Sequence, residues 1–291
     1  MNIVYLTFGD NIKYHLQAYF SIRSIQRYIT EEDKILVLST NPSFYKRCDI
    51  NVIPLSEELV KSWEGDFSYP FRIKVKGLEY IQQQYPDDHI LFVDTDTFAY
   101  NSLDDIRKAL SAGDGVMFTC EGHPSTKKFG PLKMWKMVEN KCYSGITINK
   151  KHDVWNSGVI GLPASKAKEH IQLSLEILDA MLNDNVTYFT VEQYAQSIAM
   201  EERMKIHPSS HIFGHYWGNK EDWEEFITNF LLESYMTNRS IEEEIQAISQ
   251  LDFSQIPIFK HHSNTYNRLN KLIRKCFPDR EYISIEKTSE Q

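Results

Sequence analysis

The segment from His89 to Thr97 combines an apolar run with two carboxylates, Asp94 and Asp96, that lie one residue apart. Such a run indicates a strand that is buried on both faces of an α/β sheet. At the carboxyl end of that strand, where open α/β sheets bind ligands, two carboxylates can hold a hard divalent cation. The cation can in turn hold a diphosphate, which bare carboxylates would repel. The alternative is a turn in which one aspartate caps the next helix, although Asn101 or Ser102 could provide that cap.

Polar side chains also stand out at two later points of the sequence. Asn156 precedes an apolar strand and could bond to sugar hydroxyls, while Gly158 would allow close approach of the backbone. Glu192 and Gln193 fall in the first turn of a predicted helix. The alternatives are an ordinary turn before a strand and an acidic residue that the helix dipole alone favours.

A histidine and a lysine flank a glycine in the aromatic segment that contains His215, Gly218 and Lys220. A lone histidine beside aromatic residues is more often a core residue than a ligand, so both interpretations stay open for His215.

A basic helix is predicted from Tyr69 to Tyr85. Arg72 and Lys76 lie four residues apart on one face of it. They could contact a phosphate or a base, or form a solvated basic face. Further on, the polar segment from Glu121 to Lys151 is long for a loop in a compact domain, which favours a lid or an acceptor-binding insertion over a plain surface loop.

The elements that would position these residues follow a β-α-β-α-β pattern in the first third of the chain. This pattern predicts an α/β fold in which helices cover a mixed, mostly parallel sheet. Neither a G-x-G-x-x-G sequence after the first strand nor a Walker loop occurs in the sequence. The sequence therefore argues against dinucleotide-dependent dehydrogenases and P-loop enzymes.

Composition narrows the class of protein further. The 291 residues, 42% of them hydrophobic, suffice for one large α/β domain. A net charge of -8 argues against nucleic acid as a partner. The four cysteines lack C-x-x-C spacing, and no signal peptide is apparent at Met1. We therefore expect a cytoplasmic protein.

The order of these features resembles the nucleotide-sugar glycosyltransferases of the GT-A fold. It is most similar to family 8, the type that includes galactosyltransferases of lipopolysaccharide synthesis and glycogenin. The resemblance covers residues 1–222, and it rests on Asp94-Thr95-Asp96, Asn156-Ser157-Gly158-Val159 and His215-x-x-Gly218. The first of these motifs is common to the whole fold, whereas their combination is more specific.

The resemblance implies a role for each matching residue. Asp94, Asp96 and His215 would bind Mn²⁺ or Mg²⁺, which suit oxygen ligands with one imidazole. Asn156, Glu192 and Gln193 would act at the donor sugar and are the candidate catalytic residues. The nucleotide side would comprise Thr7, Phe8, Tyr14, Arg72, Lys76, Thr95, Gly218 and Lys220.

The chain departs from the family pattern at two points. One residue fewer precedes Lys220 than in the family's His-x-x-Gly-x-x-Lys, and Glu192-Gln193 stands where the family has Asp-Gln. The catalytic assignment is therefore open. Asp184 and Glu192 are both available as a base, and the resemblance alone favours retention of configuration.

The expected activity is transfer of a hexose from a nucleotide-diphosphate sugar, with UDP as the expected nucleotide, to a glycan or glycolipid. Residues 223–291 would form a helical extension packed on the catalytic domain. The basic and apolar tail from Lys260 to Lys275 could be a docked helix or a peripheral contact with an anionic membrane, at the inner face of the membrane.

Three alternatives remain. A haloacid-dehalogenase-like phosphatase would need Thr or Val where Phe98 stands. A nucleotidyltransferase of similar fold would need a glycine-rich loop after the first strand, where only Gly9 occurs. A non-catalytic relative that binds sugar nucleotides or glycans would not need the complete set of acidic and histidine ligands.

Overall fold

A computed structural model of the chain describes residues 1–186, 188–260, 269, 271–273 and 275–277. In this part of the chain the strands are β1 (Asn2–Thr7), β2 (Lys34–Ser39), β3 (Asn51–Pro54), β4 (Ile90–Val93), β5 (Thr97–Ala99), β6 (Gly115–Met117), β7 (Cys120–Gly122), β8 (Cys142–Tyr143), β9 (Ile146–Thr147), β10 (Val154–Trp155), β11 (Val159–Leu162), β12 (Ile206–Pro208) and β13 (Phe213–His215). The helices are α1 (Ile12–Gln26), α2 (Glu57–Trp63), α3 (Arg72–Gln84), α4 (Asp104–Ser111), α5 (Gly130–Val138), α6 (Ala164–Asn183), α7 (Val191–Glu201), α8 (Lys220–Met236) and α9 (Ile241–Ser249).

The central sheet contains seven of these described strands in the order β12-β6-β11-β4-β1-β2-β3. Strand β4 pairs in parallel with β1 and antiparallel with β11, which also runs antiparallel to β6. The remaining pairings in this sheet are parallel. The predicted mixed, mostly parallel α/β fold is therefore confirmed.

Strand β4 is buried on both faces, as its uninterrupted apolar sequence predicted. Ile90 and Phe92 pack in the layer that contains residues of α3, α6 and α7. Leu91 and Val93, which point the other way because side chains alternate along a strand, pack in the layer with residues of α1 and α4. Two helical layers thus hold the end of β4, and with it Asp94, in place.

The segment predicted to be a long loop is partly regular. Within it, α5 buries Met134, Trp135 and Val138, and β8 pairs with β9 as a short hairpin. The expectation of an irregular segment was wrong because apolar side chains at helical spacing are interspersed among its polar residues.

Helices α8 and α9 pack against α1. Phe20 of α1 contacts an aromatic and aliphatic cluster that includes Trp223 of α8 and Ile248 of α9. A fully buried ion pair joins Arg23 to Glu244, with 2.7 Å between the nitrogen and the oxygen. Because α8 begins at Lys220, the division expected after residue 222 falls inside a helix; the separation into domain and extension stays a prediction.

The C-terminal tail is described only in part. Leu269, Leu272 and Ile273 are exposed, whereas Arg268 and Arg274, on which the membrane interpretation also depends, lie outside the described residues. None of the helices in the described ranges is long and apolar enough to cross a membrane.

Candidate active site

A cleft of about 740 Å³ opens at the carboxyl ends of β1 and β4. It is lined by most of the residues that the sequence predicted for the site, namely Thr7, Phe8, Tyr14, Asp94, Thr95, Asp96, Asn156, Glu192, Gln193, His215 and Lys220. The parallel pairing of β1 with β4 brings the first strand's end and the acidic segment to one edge of the sheet.

Asp94, Asp96 and His215 form one compact group. Each offers a ligand atom, and these atoms lie within 4.8 Å of one another. The group is assembled by the short antiparallel pairing of β5 with β13, in which Thr97 lies opposite His215. As a result, Asp96 and His215, far apart in sequence, are adjacent, with 3.3 Å between the histidine Nε2 and Asp96 Oδ1.

Asn156 fixes the orientation of the His215 ring. Asn156 Oδ1 accepts a hydrogen bond from the backbone N–H of Gly158 at 3.0 Å, and its Nδ2 donates to Glu121 at 2.9 Å. These partners determine which amide atom is the oxygen. The oxygen also lies 3.1 Å from His215 Nδ1, so that nitrogen must be the donor.

The lone pair of Nε2 then faces Asp96. A lone pair opposite a carboxylate oxygen is unfavourable unless a proton or a cation lies between them. Metal-bound histidines are oriented in this way by a hydrogen bond on their second nitrogen. Two carboxylates and one such imidazole therefore fit a divalent cation of the Mn²⁺ or Mg²⁺ type.

Gly158 makes this arrangement sterically feasible. A Cβ atom at this position would lie 2.4 Å from Cε1 and Nδ1 of His215 and 3.1 Å from Asn156 Oδ1. Any side chain here would collide with the imidazole, so the glycine is required by close packing rather than by an unusual backbone angle.

Each aspartate is paired with a lysine. Lys220 Nζ lies 2.8 Å from Asp96 Oδ2, and Lys74 Nζ lies 2.9 Å from Asp94 Oδ1. Burial opposes ionisation of Asp96, but His215, with a proton on Nε2 in the metal-free protein, and Lys220 outweigh it and hold the pKa of this carboxyl well below its usual range. Both lysines line the cleft.

Lys74 was not among the predicted site residues. The sequence drew attention to Arg72 and Lys76, which share a helix face, whereas Lys74 projects from the opposite face. The side chain of Arg72 instead binds both oxygens of Asp179 on α6, at 2.8 and 2.9 Å. Lys76 pairs with Glu79 on its own helix.

Neither Arg72 nor Lys76 is part of the cleft lining. Gly218 also lies outside it, and a Cβ there would collide with the Phe259 ring at 2.1 Å. Asp184, one of two carboxylates considered as a base, lies at the end of α6 and is bound by Lys141 at 2.8 Å and by Tyr143 at 2.9 Å.

Glu121 is a second residue that sequence reasoning missed. One carboxylate oxygen accepts from Asn156, and the other accepts from Gln193 Nε2 at 3.4 Å. The side-chain oxygen Oε1 of Gln193 in turn accepts a hydrogen bond from the backbone N–H of Ser157 at 3.3 Å. Glu121 thus orients both predicted sugar-binding amides. Its position shortly after β6, like that of Asp94 after β4, was the available signal.

Glu192 is buried beneath the cleft, with 1% of its surface exposed. Its side chain accepts a hydrogen bond from Gln196, one turn further along α7. Burial raises the pKa of Glu192 to about 7, with Asp94 adding to the rise and Lys74 opposing it. A carboxyl that changes its protonation near neutral pH beside a cleft is typical of functional sites.

A scan against protein-family models and a search of curated proteins found no match to this sequence. Solved structures do match. The crystal structure of the galactosyltransferase LgtC in complex with donor and acceptor sugar analogues is 13% identical to the chain, covers 87% of it and 98% of the LgtC chain, and gives a TM-score of 0.54.

A structure of an active-site mutant of LgtC is 16% identical and covers 72% of this chain and 73% of its own, with a TM-score of 0.49. At such low identity the likeness concerns the fold. Since the match with the sugar-analogue complex spans nearly all of LgtC, the chain has the GT-A glycosyltransferase fold.

Proposed function

We propose that this protein is a metal-dependent glycosyltransferase that moves a hexose from a nucleotide-diphosphate sugar, with UDP as the nucleotide, to a glycan or glycolipid. The observation that carries the proposal is the group formed by Asp94, Asp96 and His215, whose ligand atoms lie within 4.8 Å of one another in the cleft of a GT-A fold. Without a bound cation, the anionic donor would meet two carboxylates in this cleft.

Mn²⁺ or Mg²⁺ bound by these residues would neutralise the diphosphate and stabilise the charge that develops on it as the sugar leaves. The positive charge of Lys220 would also neutralise the diphosphate, because its ammonium group lies beside Asp96 at the cleft surface. Lys74 is held by Asp94 and by the carbonyl oxygen of Ser157 at 3.2 Å. We assign to Lys74 the phosphate contact that the sequence suggested, as one of two possibilities beside a contact with the base, for Arg72 and Lys76.

Thr7, Phe8 and Tyr14 are proposed to contact the base and ribose. Phe8 and Tyr14 are respectively 38% and 44% exposed at the cleft, so their rings are available for stacking. Thr7 is fixed by a hydrogen bond from its hydroxyl to that of Ser39 at 3.0 Å. Thr95 lies between the two aspartates and also lines the cleft.

Asn156 and Gln193 are proposed to bind the donor sugar, and Glu192 to act near its anomeric carbon. In the transfer, the acceptor oxygen forms a bond to that carbon, the bond from the carbon to the diphosphate oxygen breaks, and the hydroxyl proton is released with the nucleoside diphosphate. Positive charge develops on the sugar ring, and the carboxyl groups of Glu121 and Glu192 would stabilise it when ionised. Retention of configuration is proposed from the family resemblance.

The proposed setting is the cytoplasm, at the inner face of the membrane, where the C-terminal tail would make a peripheral contact. This part of the proposal rests on the resemblance and on the basic and apolar sequence of the tail.

The test is a thermal-shift panel of UDP-, GDP-, CMP- and dTDP-sugars, each with Mn²⁺ and with a chelator. We expect one nucleotide to raise the melting temperature with Mn²⁺ and to lose that effect with the chelator. His215→Ala should weaken metal affinity about tenfold or more, as expected for a lost ligand.

A His215→Ala variant that melts earlier but binds Mn²⁺ normally would identify His215 as a core residue. If no nucleotide sugar shifts the melting temperature with or without metal, the proposal is wrong. Equal binding with metal and with chelator, without turnover, would instead indicate a non-catalytic binding protein.

A further inference from the structure

One side of the cleft mouth carries exposed aromatic rings. Phe71, just before α3, is 40% exposed, and Phe189, just before α7, is 62% exposed. Both line the cleft together with Tyr188, and we call these three residues the aromatic wall. Exposed apolar surface beside polar groups in a cleft is typical of a ligand-binding site.

Hydrogen bonds through Tyr69 connect the aromatic wall to the backbone of Glu192. The hydroxyl of Tyr69 donates to the carbonyl oxygen of Phe189 at 2.6 Å and accepts the backbone N–H of Glu192 at 3.3 Å. The Tyr69 ring also lies 5.7 Å from that of Phe71, centroid to centroid. The wall is therefore connected directly to the end of the cleft where the sugar would react.

The inserted segment around α5 supports the aromatic wall from outside. A Cβ atom on Gly130 would lie 2.3 Å from Cε2 of Tyr188, so the tyrosine packs directly on the first residue of α5. The preceding residue, Phe129, is 85% exposed and has a φ of 56°, a conformation that is uncommon for a phenylalanine. The insertion thus adds a further exposed ring beside the wall.

Two carboxyl groups at this end of the cleft, those of Glu121 and Glu192, would disfavour an anion. Among the described residues, the cations that line the cleft are Lys74 and Lys220, and both are bound to the aspartates of the proposed metal site. In the proposed function the metal ion and both lysines serve the donor diphosphate, so a negatively charged acceptor would meet these carboxylates with no further cation of the cleft to compensate.

We propose that the aromatic wall is the acceptor subsite and binds a sugar ring of a neutral saccharide. A pyranose has C–H groups on its faces and hydroxyl groups around its edge. Its C–H face can pack on Phe71 and Phe189 while a hydroxyl group at its edge bonds to Glu121. This inference rests on the proposed function, and it narrows the acceptor from any glycan or glycolipid to one that presents an uncharged sugar ring.

The experiment is a transfer assay with the full chain, Mn²⁺ and the radiolabelled nucleotide sugar identified by thermal shift. The acceptors are neutral disaccharides (lactose, maltose and cellobiose) and their sialylated or phosphorylated counterparts. We expect transfer to a neutral disaccharide and at least about tenfold lower kcat/KM for its anionic counterpart, a ratio that corresponds to one unfavourable charge contact.

Variants test whether the aromatic rings are responsible. Phe189→Ala should raise the KM for the acceptor about tenfold, a loss comparable with that of one stacked ring, while the Kd for the nucleotide sugar stays unchanged. Phe189→Trp should restore the KM, because any aromatic face can stack. The matched control is Tyr235→Ala, which removes a 70% exposed ring from α8 outside the cleft lining and should leave the acceptor KM unchanged.

Some outcomes would overturn the inference and leave the proposed function intact. These are a preference for the anionic acceptors, an unchanged acceptor KM in both Phe71→Ala and Phe189→Ala, and donor binding with hydrolysis but no transfer to any neutral saccharide. A chain that binds no nucleotide sugar would refute the proposed function and this inference with it.

Discussion

Gly158→Ala is the most direct perturbation of the proposed metal site, because it adds one methyl group against His215. The new Cβ would lie 2.4 Å from two atoms of the imidazole, about 1 Å closer than an ordinary contact that begins at 3.4 Å. His215 is 6% exposed and its ring packs edge-on against Phe118, with 5.3 Å between centroids. The ring therefore has little room to retreat without leaving its present position.

A displacement of that size is large compared with the tolerance of metal coordination, in which ligand distances are held to about 0.2 Å. We expect Gly158→Ala to weaken Mn²⁺ binding about tenfold to a hundredfold. Overpacking should also lower the free energy of unfolding by about 1–3 kcal/mol. The backbone itself should not resist the change, since Gly158 does not have the positive φ that disfavours other residues.

The assay is calorimetric titration of Mn²⁺ into chelator-treated protein, with chemical denaturation run in parallel. Gly77→Ala is the matched control, because a Cβ there would make ordinary contacts of 3.4 and 3.5 Å with Leu6 and Leu38. It should bind Mn²⁺ like the original protein and be as stable or more so, since alanine favours a helix. Normal Mn²⁺ affinity in Gly158→Ala would refute the reasoning, because His215 could then move without affecting the metal.

Asp96→Asn should abolish metal-dependent binding of the nucleotide sugar while the protein stays folded, as checked by thermal shift with Mn²⁺ and by circular dichroism; unchanged affinity would remove the acidic pair from the site. Glu192→Gln should remove a pH dependence of stability in metal-free protein. The folded-state pKa of Glu192 is raised from 4.5 to about 7. The contribution of this carboxyl to the free energy of unfolding is therefore fully present below about pH 4.5 and is lost as the pH rises through 7. At pH 8 the variant should be more stable by up to about 3 kcal/mol in urea denaturation, and equal pH profiles for the two proteins would contradict this. Arg72→Ala should lower the free energy of unfolding by about 1–2 kcal/mol, because the ion pair with Asp179 is lost, and should leave the Kd for the nucleotide sugar unchanged. A larger Kd with normal stability would show instead that Arg72 belongs to the binding site.

The sequence was sufficient for features that depend on local pattern. The apolar run before Asp94 predicted a strand buried on both faces. Side chains alternate between the two faces of a strand, so a face open to solvent would have shown polar residues at every second position. The alternation of strands and helices in the first third predicted the parallel part of the sheet, since a parallel pair needs a helical crossover. The acidic pair could also be identified as a candidate cation site from the sequence, because charges at the end of a buried strand are unfavourable without a partner.

Tertiary structure decided which distant residues meet. His215 was ambiguous in sequence, and it joins Asp96 only because β13 pairs with β5 in one particular register. The choice between Lys74 and its neighbours Arg72 and Lys76 depended on which face of α3 turns to the cleft, and that face is set by packing on the sheet. The contacts of Glu121 with Asn156 and Gln193 likewise join three separate segments. Sequence periodicity records which side of an element is buried, whereas contacts between elements depend on how they pack, and the site is made almost entirely of such contacts.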